Sequence, residues 1–134
     1  VGGGGLLAGA SLANYYFGKA KVIGCEPSNA DDAYQSFNSK TWVPVTKPNT
    51  IADGLRTSLG LRNFPIILNH VSDIILLSEE ELEHAWHICL SRLKQFIEPS
   101  AAAGIAAALK YHSTGKAGII LCGGNMNTLQ FTLR

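Results

Sequence analysis

At 134 residues, with 46% hydrophobic side chains, the chain is long enough to bury one ordinary core. Eleven basic residues against ten acidic ones leave a formal net charge of +1, so charge gives no reason to expect nucleic acid or an anionic membrane as partner. No apolar run approaches the roughly 20 residues that span a bilayer, and Cys25, Cys89 and Cys122 lie far apart with no Cys-x-x-Cys pair, which argues against a disulfide framework and for a reducing, cytoplasmic setting.

The chain opens on Val1 and four glycines, with neither an initiator Met nor a signal-peptide charge pattern. Val1 reads as the end of a strand whose partners lie upstream, so a segment of a longer protein is expected. Residues 6–17 are small and apolar and predict a helix packed closely on a sheet, with Tyr15, Tyr16 and Phe17 packing its end on the core. Residues 20–25 read as a buried strand, 31–37 as one or two helical turns, and 38–50, with Pro44 and Pro48, as loop. The alternation then repeats, with a helix over 66–70 and a strand over 73–77.

Ser78 and Glu81 form a Ser-x-x-Glu capping box, followed by apolar residues at Leu82, Trp86, Cys89, Leu90 and Leu93. Pro99 opens the next helix at a first-turn position, where its missing N–H costs nothing, and an Ala-rich stretch carries it to Leu109. Residues 118–122 read as a last buried strand, ended by Gly123-Gly124-Asn125. Strands alternating with helices predict an α/β fold, a parallel sheet with helices on both faces.

Four glycines between a strand and a helix exceed what a turn requires, and each carries an entropic cost. A backbone without Cβ atoms lets several N–H groups converge on one anion at a helix N-terminus, so phosphate binding is the stronger reading over a flexible loop. A Walker A loop is excluded, because no Gly-Lys-Ser/Thr follows. Gly3, Gly5 and Ala8 satisfy the dinucleotide pattern G-x-G-x-x-A, and Glu26 closes the next strand where a ribose-binding acid belongs. On this segment alone an NAD-binding Rossmann domain stays open.

Glu26, Asp31 and Asp32 fall within seven residues, a density of oxygen donors that suits Mg²⁺ or Ca²⁺. The competing reading is a solvated turn in which Asp31 or Asp32 caps the next helix. His84 and His87 lack the His-Glu-x-x-His spacing and read as a solvated helix face.

Five segments decide between these readings: Val1-Gly2-Gly3-Gly4-Gly5-Leu6, Glu26-Pro27-Ser28-Asn29-Ala30-Asp31-Asp32, Ile51-Ala52-Asp53-Gly54, Ile97-Glu98-Pro99-Ser100-Ala101 and Leu121-Cys122-Gly123-Gly124-Asn125. In this order and spacing they resemble the serine racemases and serine/threonine dehydratases, fold-type II pyridoxal-phosphate enzymes. A Rossmann dehydrogenase gives no reason for the last four.

The resemblance implies the C-terminal part of the cofactor-binding large domain of a tryptophan-synthase-β-like fold. It implies that Gly2, Gly3, Gly4 and Gly5, with the Leu6 amide, grip the cofactor phosphate. Gly54 would lie beside the ring, Glu98 near the site without a definite role, and Cys122 opposite the pyridine nitrogen, where most serine racemases carry Ser. Without the resemblance, Cys122 is a small buried hydrophobe at a strand end. The Glu26 carboxylate, the Ala30 carbonyl and the Asp32 carboxylate are the implied ligands of an activating or structural Mg²⁺ or Ca²⁺. Lys94 and Asn125 fall where serine racemases bind an ATP effector.

The implied activity is α-proton removal from L-serine or L-threonine, followed by loss of the β-hydroxyl or reprotonation on the opposite face. A small amino-acid substrate and a homodimer are implied as partners. No lysine here has the Ser-x-Lys-x-Arg-Gly-Ala context of the catalytic lysine, so no catalytic residue is assigned. A non-catalytic phosphate-binding or dimerising product is the alternative.

Overall fold

The computed structural model describes residues 1–111 and 115–126. Helix α1 (Gly5–Phe17) leads into strand β1 (Ile23–Pro27), helix α2 (Asp32–Ser39), a single 3-10 turn (Asp53–Leu55) and helix α3 (Phe64–His70). Strand β2 (Asp73–Leu77), helix α4 (Glu79–Ser91) and helix α5 (Pro99–Lys110) complete the order. β1 and β2 pair in parallel, from Ile23 opposite Asp73 to Pro27 opposite Leu77.

Strand alternation sends side chains to two separate cores. Ile74 joins Ala8, Ala33, Leu59, Ile67 and Val71 on the face covered by α1, α2 and α3. Leu77, with Cys25 and Ile75, joins Leu82, Trp86, Cys89 and the buried alanines of α5 on the face covered by α4 and α5. Helices therefore cover both faces of a parallel pair, as the alternation predicts. Small side chains set the close spacing. Ala8 and Ser11 are the buried positions of α1, and a Cβ on Gly24 of β1 would lie 2.9 Å from Leu7 Cδ2.

The capping box forms as predicted: the Glu81 N–H donates to Ser78 Oγ at 3.2 Å, and the Ser78 N–H donates to Glu81 Oε2 at 2.8 Å. Trp86 Nε1 donates to the Ile97 carbonyl at 2.7 Å, fixing the connection between α4 and α5.

Four sequence expectations change. The strand predicted over 20–25 runs instead from Ile23 to Pro27, because ladder pairing with β2 sets its limits and draws Glu26 inside. Leu93 lies past the end of α4 and is exposed, outside the apolar stripe. Tyr15, Tyr16 and Phe17 do not pack on the core; Phe17 is 92% exposed. Tyr15 instead meets the ring of His70, the last residue of α3, with centroids 4.7 Å apart.

Residues 118–122 form no strand. Among the described residues only β1 and β2 form a sheet, and a strand needs a neighbour to pair with. The segment lies against α5 instead, where a Cβ on Gly104 would sit 2.9 Å from Ile119 Cγ2. Ile119, Ile120 and Cys122 are exposed.

Ser78→Ala should lower stability by about 1 kcal/mol in urea unfolding. The Glu81 carboxyl is held below its ordinary value of 4.5, first by the Ser78 N–H and further by Lys110. Its contribution is therefore complete above that value and is lost as pH falls through the lowered one, so the deficit of Glu81→Gln should narrow on acidification, whereas Ser78→Ala keeps the donating backbone N–H.

Candidate functional site

The site begins where the glycine loop becomes α1. Gly4 caps the helix in the left-handed region at φ 79°, with no side-chain capping bond. A Cβ there would stand 2.5 Å from Leu59 Cδ1 and 3.0 Å from Ile67 Cδ1, so both space and backbone require glycine. The Gly3 carbonyl accepts from the Gly60 N–H at 3.1 Å and from Asn63 Nδ2 at 2.6 Å. These two bonds hold the loop with its carbonyl turned inward. The first-turn N–H groups, including that of Leu6, have no acceptor within the helix. A Cβ on Gly3 would meet nothing within 4 Å. The loop is a backbone cradle at the positive end of a helix, which suits a phosphate.

Three other segments, two of them containing glycine, gather near it. A Cβ on Gly2 would lie 3.0 Å from the Gly54 carbonyl. The Gly54 N–H donates to Asp53 Oδ1 at 2.9 Å and to Ser100 Oγ at 3.0 Å. A Cβ on Gly54 would approach Ser100 Oγ at 2.9 Å and Glu98 Oε1 at 3.3 Å. Gly123, at φ 128°, lies so close to Glu98 that a Cβ would fall 2.4 Å from its Oε1. The Glu98 N–H donates to the Gly123 carbonyl at 3.3 Å, and the Asn125 N–H donates to Glu98 Oε2 at 2.9 Å. Four segments far apart in sequence thus meet in a continuous series of contacts.

Cys122 sits in the last of them, exposed rather than buried at a strand end, so the core-residue reading fails. Lys94 and Asn125 are both exposed, and only the Asn125 backbone has a described partner in the site.

The acidic motif lies beside this assembly. Glu26 is fully buried; its Oε2 accepts the Tyr34 N–H at 2.8 Å and its Oε1 has no protein partner. Burial pushes its carboxyl up to about 7, and Asp32 adds to the rise, while backbone N–H donors at Tyr34 and Ala33 oppose it. Asp32 is likewise buried and raised by desolvation; its Oδ2 accepts the Leu59 N–H at 2.7 Å and its Oδ1 is unpartnered. A buried carboxylate oxygen without a partner costs free energy, and a cation would offset that cost.

Asp31 does occupy the N-cap position of α2, as the capping-turn alternative expects, but its side chain makes no capping bond and accepts from Gln35 Nε2 at 2.8 Å. Among the described residues no three His, Cys, Asp or Glu side chains converge on one point, so a cation here would need the Ala30 carbonyl and water in its shell. Burial of Glu26 also removes the Rossmann reading, since a ribose-binding acid must reach solvent.

Sequence reasoning did not find the roles of Asn63, Gly60 and Ser100. Ser100 stood in a recognised segment without a role. Asn63 lies 60 residues from Gly3, and nothing local marks it.

A glycine cradle opening a helix beside a parallel sheet defines an α/β protein of the kind that holds phosphorylated groups at helix N-termini. Residues 1–123 match the family described as pyridoxal-phosphate dependent enzyme, and the chain belongs to that family. It is 41% identical to a serine racemase of Homo sapiens over 95% of this chain and 40% of that protein. It is 42% identical to an L-threo-3-hydroxyaspartate ammonia-lyase of Saccharomyces cerevisiae, over 98% of this chain and 42% of that protein. Among solved structures, a T.th. threonine deaminase superposes with a TM-score of 0.89 at 40% identity, over 95% of this chain and 48% of that one. A maize serine racemase gives a TM-score of 0.89 at 36% identity, over 96% and 42% of the two chains. The chain spans about two fifths of the length of the curated relatives it matches.

Gly4→Ala should destabilise the fold by about 1–3 kcal/mol, through the clash with Leu59 and the strained φ. Gly3→Ala, which meets open space, should stay within about 0.5 kcal/mol of the parent in the same urea unfolding measurement.

Proposed function

We propose that the chain is the C-terminal part of the cofactor-binding large domain of a serine/threonine dehydratase (ammonia-lyase) or serine racemase. The observation that carries this reading is the series of contacts through Gly2–Gly5, Gly54, Glu98–Ser100 and Gly123–Asn125, which links the N-termini of α1 and α5. Sequence identity of about 40% to racemases and ammonia-lyases supports the reaction class.

The chain's residues fit the cofactor. Gly2, Gly3, Gly4 and Gly5 with the Leu6 N–H would hold its phosphate, which the backbone cradle accepts without a side chain in the way. Gly54 would leave one side of the ring clear. Cys122 would face the pyridine nitrogen, and a thiol there can share a hydrogen bond without keeping the nitrogen protonated, as a carboxylate would. When bound, pyridoxal phosphate withdraws electrons from the amino acid's α-carbon. This chain binds and orients; the lysine that moves the proton is assigned upstream.

Glu26, the Ala30 carbonyl and Asp32 would hold Mg²⁺ or Ca²⁺, with the unpartnered Glu26 Oε1 and Asp32 Oδ1 as the support. A cavity of about 220 Å³ lies on the Asp32 side of this pair, lined in part by Asn29, Ala30, Asp31 and Asp32. An ATP effector at Lys94 and Asn125 and a homodimer rest on the resemblance. The three free cysteines support a cytoplasmic setting.

The test uses the whole protein carrying this chain, purified with pyridoxal phosphate and given L-serine and L-threonine. Formation of 2-oxo acid with ammonia, or of the opposite enantiomer, is the expected result; turnover of neither amino acid overturns the reading. Gly3→Ala should leave stability unchanged yet weaken cofactor retention about tenfold or more, measured by dialysis and absorbance, because its Cβ enters the space the phosphate needs.

A divalent cation should raise thermal stability by an amount equivalent to about 2.7 kcal/mol at a hundredfold excess over its dissociation constant. Glu26→Gln and Asp32→Asn should each abolish that rise. A rise that persists in both variants places the cation elsewhere.

A further inference from the structure

The segment Glu98-Pro99-Ser100 joins two loops that otherwise have no described contact with each other. Glu98 is the cap of α5, in extended backbone at φ −70° and ψ 157°, and Pro99 occupies the first helical turn. Proline has no N–H and a fixed φ, so the chain enters α5 at a set angle with one first-turn donor fewer to satisfy. The Glu98 side chain makes no capping bond and is free to reach away from its own helix. It reaches the last loop: Oε2 accepts the Asn125 N–H at 2.9 Å, while the Glu98 N–H binds the Gly123 carbonyl at 3.3 Å. Two residues on, Ser100 Oγ accepts the Gly54 N–H at 3.0 Å.

Both loops carry the imprint of this contact. Gly123 is held at φ 128°, with its α-carbon so close to Glu98 that a Cβ would fall 2.5 Å from Cδ. Gly54 would place a Cβ 3.3 Å from Glu98 Oε1 and 2.9 Å from Ser100 Oγ. The absence of side chains at both glycines lets one carboxylate and one hydroxyl stand between the loops. Neither glycine needs to touch a ligand for its identity to be required.

We propose that Glu98 is a positioning residue. Its carboxylate fixes the Cys122–Asn125 loop, and Ser100 fixes the Gly54 loop to the same turn, so the two loops keep one spacing. This rests on the function proposed above, in which those loops flank the cofactor ring. Glu98 then sets where Cys122 stands relative to Gly54 without contacting the substrate. An N–H bonded to a carboxylate is a stronger contact than one bonded to a neutral acceptor, and its loss frees the loop. The Asn125 N–H is therefore the reporter of the clasp.

The experiment measures amide hydrogen exchange at Asn125 and Gly54, and cofactor dissociation, in the whole protein. Glu98→Ala and Glu98→Asp should each speed exchange at Asn125 by about tenfold, since neither side chain reaches the loop. Glu98→Gln, which keeps an oxygen at the same reach, should restore protection to within about threefold. Ser100→Ala should speed exchange at Gly54 and leave Asn125 unchanged. Cofactor dissociation should follow Asn125 exchange across the Glu98 series.

Unchanged Asn125 exchange in Glu98→Asp overturns the proposal, and that variant decides the matter if Glu98→Ala does not fold. Faster exchange with unaltered cofactor dissociation overturns the link to cofactor placement. If the unmodified protein retains no pyridoxal phosphate, the functional reading fails, and the exchange rates still decide whether the clasp exists.

Discussion

The structure depends on the close approach of the glycine loop to the segment that follows the 3-10 turn. The Gly3 carbonyl takes two hydrogen bonds from Gly60 and Asn63, and Gly4 presses its bare α-carbon against Leu59. Leu59 in turn belongs to the core of Ala8, Ile67 and Ile74, and its N–H is held by the buried Asp32 carboxylate. One contact therefore ties together the start of α1, the packing of α3 on the sheet and the acidic motif. The direction in which the first N–H groups of α1 point follows from it.

Asp32 joins this contact through the Leu59 N–H, and Glu26 is buried on β1 close to it. Glu26 and Asp32 each satisfy one oxygen with a backbone N–H and leave the other unpaired. Desolvation raises both carboxyls above their ordinary values, the expected response of charge removed from water without a full partner. Such groups are poor contributors to stability on their own. Asp32 also borders a cavity of about 220 Å³ that Asn29, Ala30 and Asp31 help to line.

Small residues act throughout as spacers. Ala8, Ser11 and Gly24 bring α1 onto the strand, and the alanines of α5 bring it onto α4 and the opposite face. Around the site Gly54 and Gly123 leave room for Glu98 and Ser100. Side-chain volume removed at one place is filled by a polar group from another segment, so the fold and the site share one set of close contacts.

What the sequence determined by itself is whatever depends on neighbours in the chain. The capping box at Ser78 and Glu81, the proline entry to α5 and the strand over 73–77 are local, and they appear as read. The alternation of strands and helices fixed the fold class, and the glycine run with its four companion segments carried the family. What only tertiary structure decided is whatever needs a partner distant in sequence. Residues 118–122 look like a strand, but pairing requires a second strand, and among the described residues they lie against α5. Tyr15 to Phe17 look like core but are exposed, with Tyr15 against His70. Asn63 on Gly3 and Glu98 on Asn125 join residues with no shared local pattern. Periodicity and capping are interactions within a few residues, whereas which loops meet is set by the packing of helices on two sides of a sheet.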